Sequence, residues 1–269
     1  MARSTKRSLS KGWTINPQQA RAWLDKAGLQ IARQDYSGVV QTCKRILHYA
    51  PRNDPLRADA LGYLGTAYSM LQKFDRAFRT YTEALSITPN DPALWYNRAG
   101  ACLYTMRSGQ AVRDLERAAE LDMKGEFKGE IREKLKFCQK IAKQELALRG
   151  PDFTLDQLIE QQELFCQGLG LMEAERAEEA AEAFRKVIAL GECLPQPWGN
   201  LGVCLLMLGQ YDEAEAALKR ALEIDPKYEL ARTNLAALPE QRRSGTKPQL
   251  AITEPFKGKL RQSVRIHKV

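Results

Sequence analysis

The chain has 269 residues, of which 44% are hydrophobic and 28% charged, and its formal net charge is +8. Its only two histidines, His48 and His267, lie far apart in the sequence, which argues against a multi-histidine metal site or a histidine-based catalytic triad. Its six cysteines form no CxxC pair, which predicts buried thiols in a reducing, cytoplasmic compartment. The longest apolar run falls short of the roughly 18–20 residues of a membrane helix, so no membrane span is expected.

Charge divides the sequence into four segments. Residues 1–16 carry a net +4 (4 basic, 0 acidic) and residues 17–149 a net +7 (22 and 15). Residues 150–238 carry −9 (7 and 16) and residues 239–269 carry +6 (8 and 2). Low hydrophobicity and like charge predict that the two outer segments are disordered basic tails. The change of sign predicts two folded blocks, 17–149 and 150–238, and one continuous superhelix is the alternative.

A pattern of about 34 residues recurs along the chain. In chain order its copies lie at about 20–53, 58–91, 92–125, 161–194 and 195–228, and a capping helix is predicted over 229–238. The second copy reads Leu61-x2-Leu64-Gly65-x2-Tyr68, then Ala77-x3-Tyr81 and Pro89. The last copy reads Trp198-x2-Leu201-Gly202-x2-Leu205, then Ala214-x3-Leu218 and Pro226. This pattern resembles the tetratricopeptide repeat (TPR) family, whose unit reads W-x2-L-G-x2-Y…A-x3-F…P.

The segment between the two groups of copies lacks the Ala/Gly signature. Its apolar residues recur at helical spacing over 126–149, which predicts one long irregular helix that ends at Gly150-Pro151. A new helix is expected from Thr154 onwards.

The resemblance implies an all-α fold, a right-handed α-solenoid of antiparallel helix pairs. Small residues such as Gly65 and Ala77 are expected where the two helices of a unit come closest. Large residues such as Tyr68, Tyr81 and Phe184 are expected to fill the space between units. Gln72-Lys73-Phe74 is expected to form the turn between the helices of its unit.

The resemblance also implies a function. In this family the first helix of each unit lines a concave groove, so we expect a non-catalytic adaptor or scaffold that binds a peptide segment of a partner protein. The aromatic and apolar composition of the expected groove favours a peptide with hydrophobic anchors. The expected groove residues are Tyr63, Thr66, Met70, Tyr96, Asn97, Gly100, Tyr104 and Asn200.

Two other functions remain open. One is an RNA- or ribosome-associated factor in which the basic tails contact nucleic acid weakly, and the other is a regulatory subunit of a separately encoded enzyme. The sequence offers no nucleophile–base pair, metal-ligand cluster or phosphate-binding loop, so we expect neither catalysis by this chain nor a cofactor.

Overall fold

The computed structural model describes residues 16–245, so most of both predicted tails lies outside the described residues. All regular secondary structure in residues 16–245 is α-helical, which confirms the predicted fold class. By their contacts the helices divide into two compact units, with the division after Lys140.

Unit 1 contains three pairs of helices and the first part of a seventh helix. The helices are α1 (Pro17–Ala32), α2 (Tyr36–Tyr49), α3 (Pro55–Met70), α4 (Phe74–Ile87), α5 (Pro92–Cys102), α6 (Ser108–Leu121) and α7 (Lys128–Arg149). The two helices of each pair pack on each other, and each pair packs on the next. Helix α7 confirms the long helix that was predicted over 126–149.

Unit 2 contains the end of α7 and two further pairs with a final helix. Its helices are α8 (Leu155–Glu173), α9 (Ala177–Leu190), α10 (Pro195–Met207), α11 (Tyr211–Ile224) and α12 (Glu229–Ser244). Helix α12 continues through Pro239 to a left-handed Gly245, so the predicted end of the capping helix at 238 was too early. Proline lacks only one donor, and a helix can accommodate it near its end.

The first helices of unit 1 begin at a shared signal. Asn16, Asp54 and Asp91 each precede a proline, and each side chain accepts a hydrogen bond of 2.9 Å from a backbone N–H of the first turn. Such caps satisfy donors that have no partner within the helix, and proline supplies a helical φ at the first position. This local chemistry fixes where α1, α3 and α5 start.

In three of the 34-residue repeats a glycine of the first helix lies in close contact with a large side chain of the second helix. A Cβ atom on Gly65 would lie 2.5 Å from Cε1 of Tyr81. Each pair is separated by sixteen residues: Gly65 and Tyr81, Gly168 and Phe184, Gly202 and Leu218. Gly65 therefore lies at a close helix contact, as predicted. The rings of Tyr81 and Phe184, which were predicted to fill space between repeats, each lie over the glycine of their own repeat.

Candidate functional site

The first helices of unit 1 lie side by side in chain order. Helix α1 packs against α3, and α3 against α5. A Cβ on Gly28 of α1 would lie 3.3 Å from the hydroxyl of Tyr63 on α3, and one on Gly62 would lie 3.3 Å from Leu94 of α5. Helix α7 continues the row through its contacts with Tyr96 of α5. We call the solvent-facing sides of α1, α3, α5 and α7 in unit 1 the first-helix surface.

Tyr96 is half-buried at the centre of the α5–α7 contact. Its ring stacks on Phe127, with centroids 5.8 Å apart and planes 20° apart. The Nζ atom of Lys134 lies 3.7 Å from the ring centroid, within the range of a cation–π interaction. Burial, followed by the charge and the hydrogen bond of Glu130, raises the pKa of the Tyr96 hydroxyl to about 12. The ring is therefore neutral at physiological pH, and its orientation is held by Phe127, just before α7, and by Lys134 of α7.

Beside this ring the first-helix surface is open. Gly100 lies one turn after Tyr96, and a Cβ atom there would meet only Nζ of Lys134, at 3.9 Å. Asn97 is also partly exposed, and Met70, at the end of α3, is 55% exposed. These three predicted residues are thus accessible, and Gly100 leaves space in which the backbone of a ligand could approach α5.

Two predicted residues on α3 serve the packing of unit 1. The half-buried Tyr63 directs its hydroxyl towards Gly28, so that its ring joins α3 to α1. The Thr66 hydroxyl donates to the Gly62 carbonyl at 3.1 Å or shares a hydrogen bond of 3.1 Å with the Tyr81 hydroxyl. Thr66 therefore helps to orient the buried Tyr81 ring. Its hydroxyl is engaged within the unit.

Tyr104 is separated from this surface. It is 40% exposed, but its ring stacks on Phe74 at the start of α4, with centroids 4.1 Å apart and planes 11° apart. The prediction assumed that the first helix continues through residue 104, whereas α5 ends at Cys102. Beyond that point helical periodicity no longer fixes the direction of the side chain, and Tyr104 turns towards a second helix.

Asn200 is not accessible. It lies on α10 in unit 2 and is only 2% exposed. The neighbouring Gly199 is covered by Tyr228 and Leu230, whose side-chain atoms would lie 2.5 and 3.1 Å from a Cβ at that position. The segment leading into α12 thus covers the face of α10 that the repeat pattern assigns to a groove, and Asn200 is a buried residue of unit 2.

Sequence reasoning missed the residues that α7 contributes. The segment was treated as irregular because it lacks small residues at the repeat positions, yet the 34-residue spacing continues through it. Glu130 follows Tyr96 by 34 residues, and Lys134 follows Gly100 by the same interval. Counting through α7 would have placed both side chains on the first-helix surface.

A buried ion pair fixes α5 against α6. Arg98, 8% exposed, donates from Nε and Nη2 to the two carboxylate oxygens of Asp114, at 2.7 and 2.6 Å. Asp114 is fully buried and also accepts from Gln110 at 2.6 Å. The guanidinium lies 4.8 Å from the Trp95 ring centroid. This bidentate pair holds the orientation of α5, and therefore of Tyr96 and Gly100, through a charged contact whose geometry is specific.

The described residues contain few features of catalytic chemistry. Within residues 16–245 no group of three or more His, Cys, Asp and Glu side chains is placed to hold a metal ion. Burial raises the pKa of Cys43 and of Cys204 to about 12, so these thiols are protonated at neutral pH. None of the helices described is long and apolar enough to cross a membrane.

A sequence comparison matches one segment of the chain to a known family. Residues 195–228, which contain α10 and α11, match the model of the tetratricopeptide repeat family. This segment is a tetratricopeptide repeat. The same Gly-to-large-residue contact joins the helices of three units, two of which lie outside the matched segment. No curated protein gives a significant sequence match to this chain.

Several solved structures are similar to this chain. The crystal structure of MamA is 17% identical, covers 80% of this chain and 96% of its own, and has a TM-score of 0.36. YrrB, described as a TPR protein with an unusual peptide-binding site, is 18% identical over 81% of this chain and 92% of its own, with a TM-score of 0.35. The P58(IPK) TPR domain is 12% identical over 84% of this chain and 66% of its own, with a TM-score of 0.45.

Proposed function

We propose that this protein is a non-catalytic adaptor, and that its first-helix surface in unit 1 binds a peptide segment of a partner protein. The observation that carries the proposal is the arrangement of Tyr96 beside Gly100. An aromatic ring that is fixed before binding lies next to a position with no side chain, on a partly exposed helix face. Fixed aromatic residues lose little conformational entropy on binding and contribute strongly to interfaces.

The surface also favours a particular kind of peptide. Met70 and the Tyr96 ring offer apolar contact area, whereas the Tyr96 hydroxyl is already engaged by Glu130. A partner would therefore gain most from hydrophobic side chains placed against the ring and against Met70. The open space at Gly100 would allow its backbone to lie close to α5. Unit 2 is a weaker candidate, because the Tyr228 segment covers the corresponding face of α10.

The cysteines support the predicted cytoplasmic location. Five of the six cysteines are buried. Buried cysteines outside disulfides are typical of proteins in reducing compartments, where disulfides are rare.

A displayed peptide library tests the proposed function. Peptides selected on the full chain are synthesised, and their affinity is measured for wild type, Tyr96→Ala and Tyr211→Ala. The control residue, Tyr211, is also half-buried and also lies near a cation, Arg242, but on α11 of unit 2. Truncating an aromatic anchor commonly costs about 2 kcal/mol, which corresponds to roughly 30-fold weaker binding.

We expect that loss for Tyr96→Ala only, with the fold retained. Equal effects of the two substitutions, or a strong fall in stability with unchanged affinity of the folded fraction, would show that Tyr96 acts only in packing.

A further inference from the structure

Helix α7 carries a row of basic residues on one face. They are Lys128, Arg132, Lys136 and Lys140, and all four are exposed. Residues four apart lie on the same side of a helix and are about 6 Å apart along its axis, so the row extends over about 18 Å. The row lies within the part of α7 that belongs to unit 1.

None of the four side chains of the row forms an ion pair within residues 16–245. Exposed cations on other helices commonly pair with a carboxylate three or four residues away, as for Arg117, Arg176, Lys186 and Lys219. In α7 the residue four positions away is another cation, although Glu133 lies three residues before Lys136, and like charges four residues apart destabilise a helix. The arrangement is therefore unfavourable for folding, and a bound anion would relieve it.

The row lies on a different side of α7 from the residue that contacts Tyr96. Lys134, which contacts Tyr96, lies between Arg132 and Lys136 in the sequence. At about 100° per residue, each of these two neighbours lies roughly 200° around the helix from Lys134. A ligand of the row would therefore approach α7 from the side opposite to Tyr96.

The composition of this face indicates the class of ligand. Between Lys128 and Lys140 the other positions in the sector of the row are Gly129 and Gln139, so the sector contains no apolar anchor, and Glu133 borders it about 20° beyond Lys140. Protein interfaces are depleted in lysine and depend on buried aromatic or apolar residues. Contacts with a phosphate backbone need only evenly placed Lys and Arg side chains. We propose that the α7 row binds the phosphate backbone of a nucleic acid without base preference.

This assignment differs from the sequence-based alternative, which placed weak nucleic-acid contact in the tails. It makes a quantitative prediction, because each phosphate contact on a single strand contributes about 0.7 to the slope of log affinity against log salt. Replacing all four cations should lower the magnitude of that slope by about 2.8. Over a fourfold rise in salt, wild type should lose about 50-fold more affinity than the variant.

The experiment measures binding of a labelled oligouridylate to the full chain across a salt series. The test variant is K128Q/R132Q/K136Q/K140Q, and the control is R117Q/R176Q/K186Q/K219Q, which removes the same charge from cations that already have carboxylate partners. Relief of like-charge repulsion should keep the test variant at least as stable as wild type. Polyglutamate serves as a second probe.

We expect the slope to fall by about 2.8 in the test variant and to change little in the control. No binding by wild type, an unchanged slope, or equal losses in both variants would overturn the proposal. It would also be overturned if the test variant lost affinity mainly for polyglutamate, because the ligand would then be an acidic protein. Peptide binding at Tyr96 is unaffected by any of these results, so the two proposals fail independently.

Discussion

Gly65→Ala tests the close contact between α3 and α4. The new Cβ would lie 2.5, 2.7 and 2.8 Å from three ring atoms of Tyr81, which is 2% exposed and whose hydroxyl bonds to Thr66. Because the ring is enclosed and held, we take the upper end of the about 1–3 kcal/mol typical of overpacking. Alanine is favoured over glycine within a helix by about 1 kcal/mol. The net expectation is a loss of about 2 kcal/mol in the free energy of unfolding.

Urea unfolding followed by circular dichroism measures this change. Gly100→Ala is the matched control, since a Cβ there makes only an ordinary contact at 3.9 Å. That substitution should stabilise the protein by up to about 1 kcal/mol. The two Gly→Ala substitutions should therefore change the free energy of unfolding in opposite directions.

A second substitution identifies the clash itself. Ala99 and Leu115 occupy the positions of Gly65 and Tyr81 in the next unit, so Tyr81→Leu imitates a pair that the chain already contains. In the Tyr81→Leu background the cost of Gly65→Ala should fall to near zero, a coupling of about 2 kcal/mol. If Gly65→Ala stabilises wild type as much as Gly100→Ala does, the assigned helix contact is refuted.

Three further predictions concern turns, charge and thiols. Gln72 has φ +58° in the α3–α4 turn, at the position that Gly209 occupies in the α10–α11 turn. In urea unfolding, Gln72→Gly should raise the free energy of unfolding and Gly209→Gln should lower it, each by about 0.5–1 kcal/mol. Changes in the opposite directions would contradict this. Asp114→Asn should lower the free energy of unfolding by about 3 kcal/mol, because Arg98 stays buried without its counter-charge. Glu120→Gln, which breaks the exposed ion pair with Arg117, should lower it by less than about 0.5 kcal/mol. Equal effects of the two substitutions would refute the role of the buried pair. Between pH 7 and 9 iodoacetamide should modify the exposed Cys193 first, because burial raises the pKa of Cys43 and of Cys204 to about 12 and keeps both thiols protonated. Mass spectrometry detects the modified residues. Rapid modification of Cys43 in the folded protein would show that the core opens.

The sequence allowed most of the helices to be predicted, because their signals are local. Asp91 before Pro92 caps α5, and Gly150-Pro151 ends α7, whatever the rest of the chain does. The close approach at Gly65 was also predictable from residue size. Which side chain fills that space was not, since Tyr81 could face its own unit or the next one until the helices were placed.

The candidate site was harder to predict, because accessibility depends on what covers a helix. Asn200 and Asn97 share a repeat position, but the segment leading into α12 packs over α10, whereas Asn97 stays partly exposed. Tyr104 was misplaced because a pattern of spacing assumes a continuous helix, and α5 ends two residues earlier. Lys134 was overlooked because α7 lacks the family's small residues. Each error concerns contacts between distant parts of a unit.

Gly100→Leu tests the proposed peptide site most directly. A leucine there would fill the space beside Tyr96, and the nearest atom to its Cβ would be the flexible end of Lys134 at 3.9 Å, so the fold should persist. Gly129→Leu is the control, because a Cβ at that exposed position meets nothing within 4 Å. With a library-selected peptide, isothermal titration calorimetry should show at least about a tenfold loss of affinity for Gly100→Leu, or about 1.4 kcal/mol, and none for Gly129→Leu. Wild-type affinity in a folded Gly100→Leu protein would contradict the proposal that the peptide lies beside Tyr96.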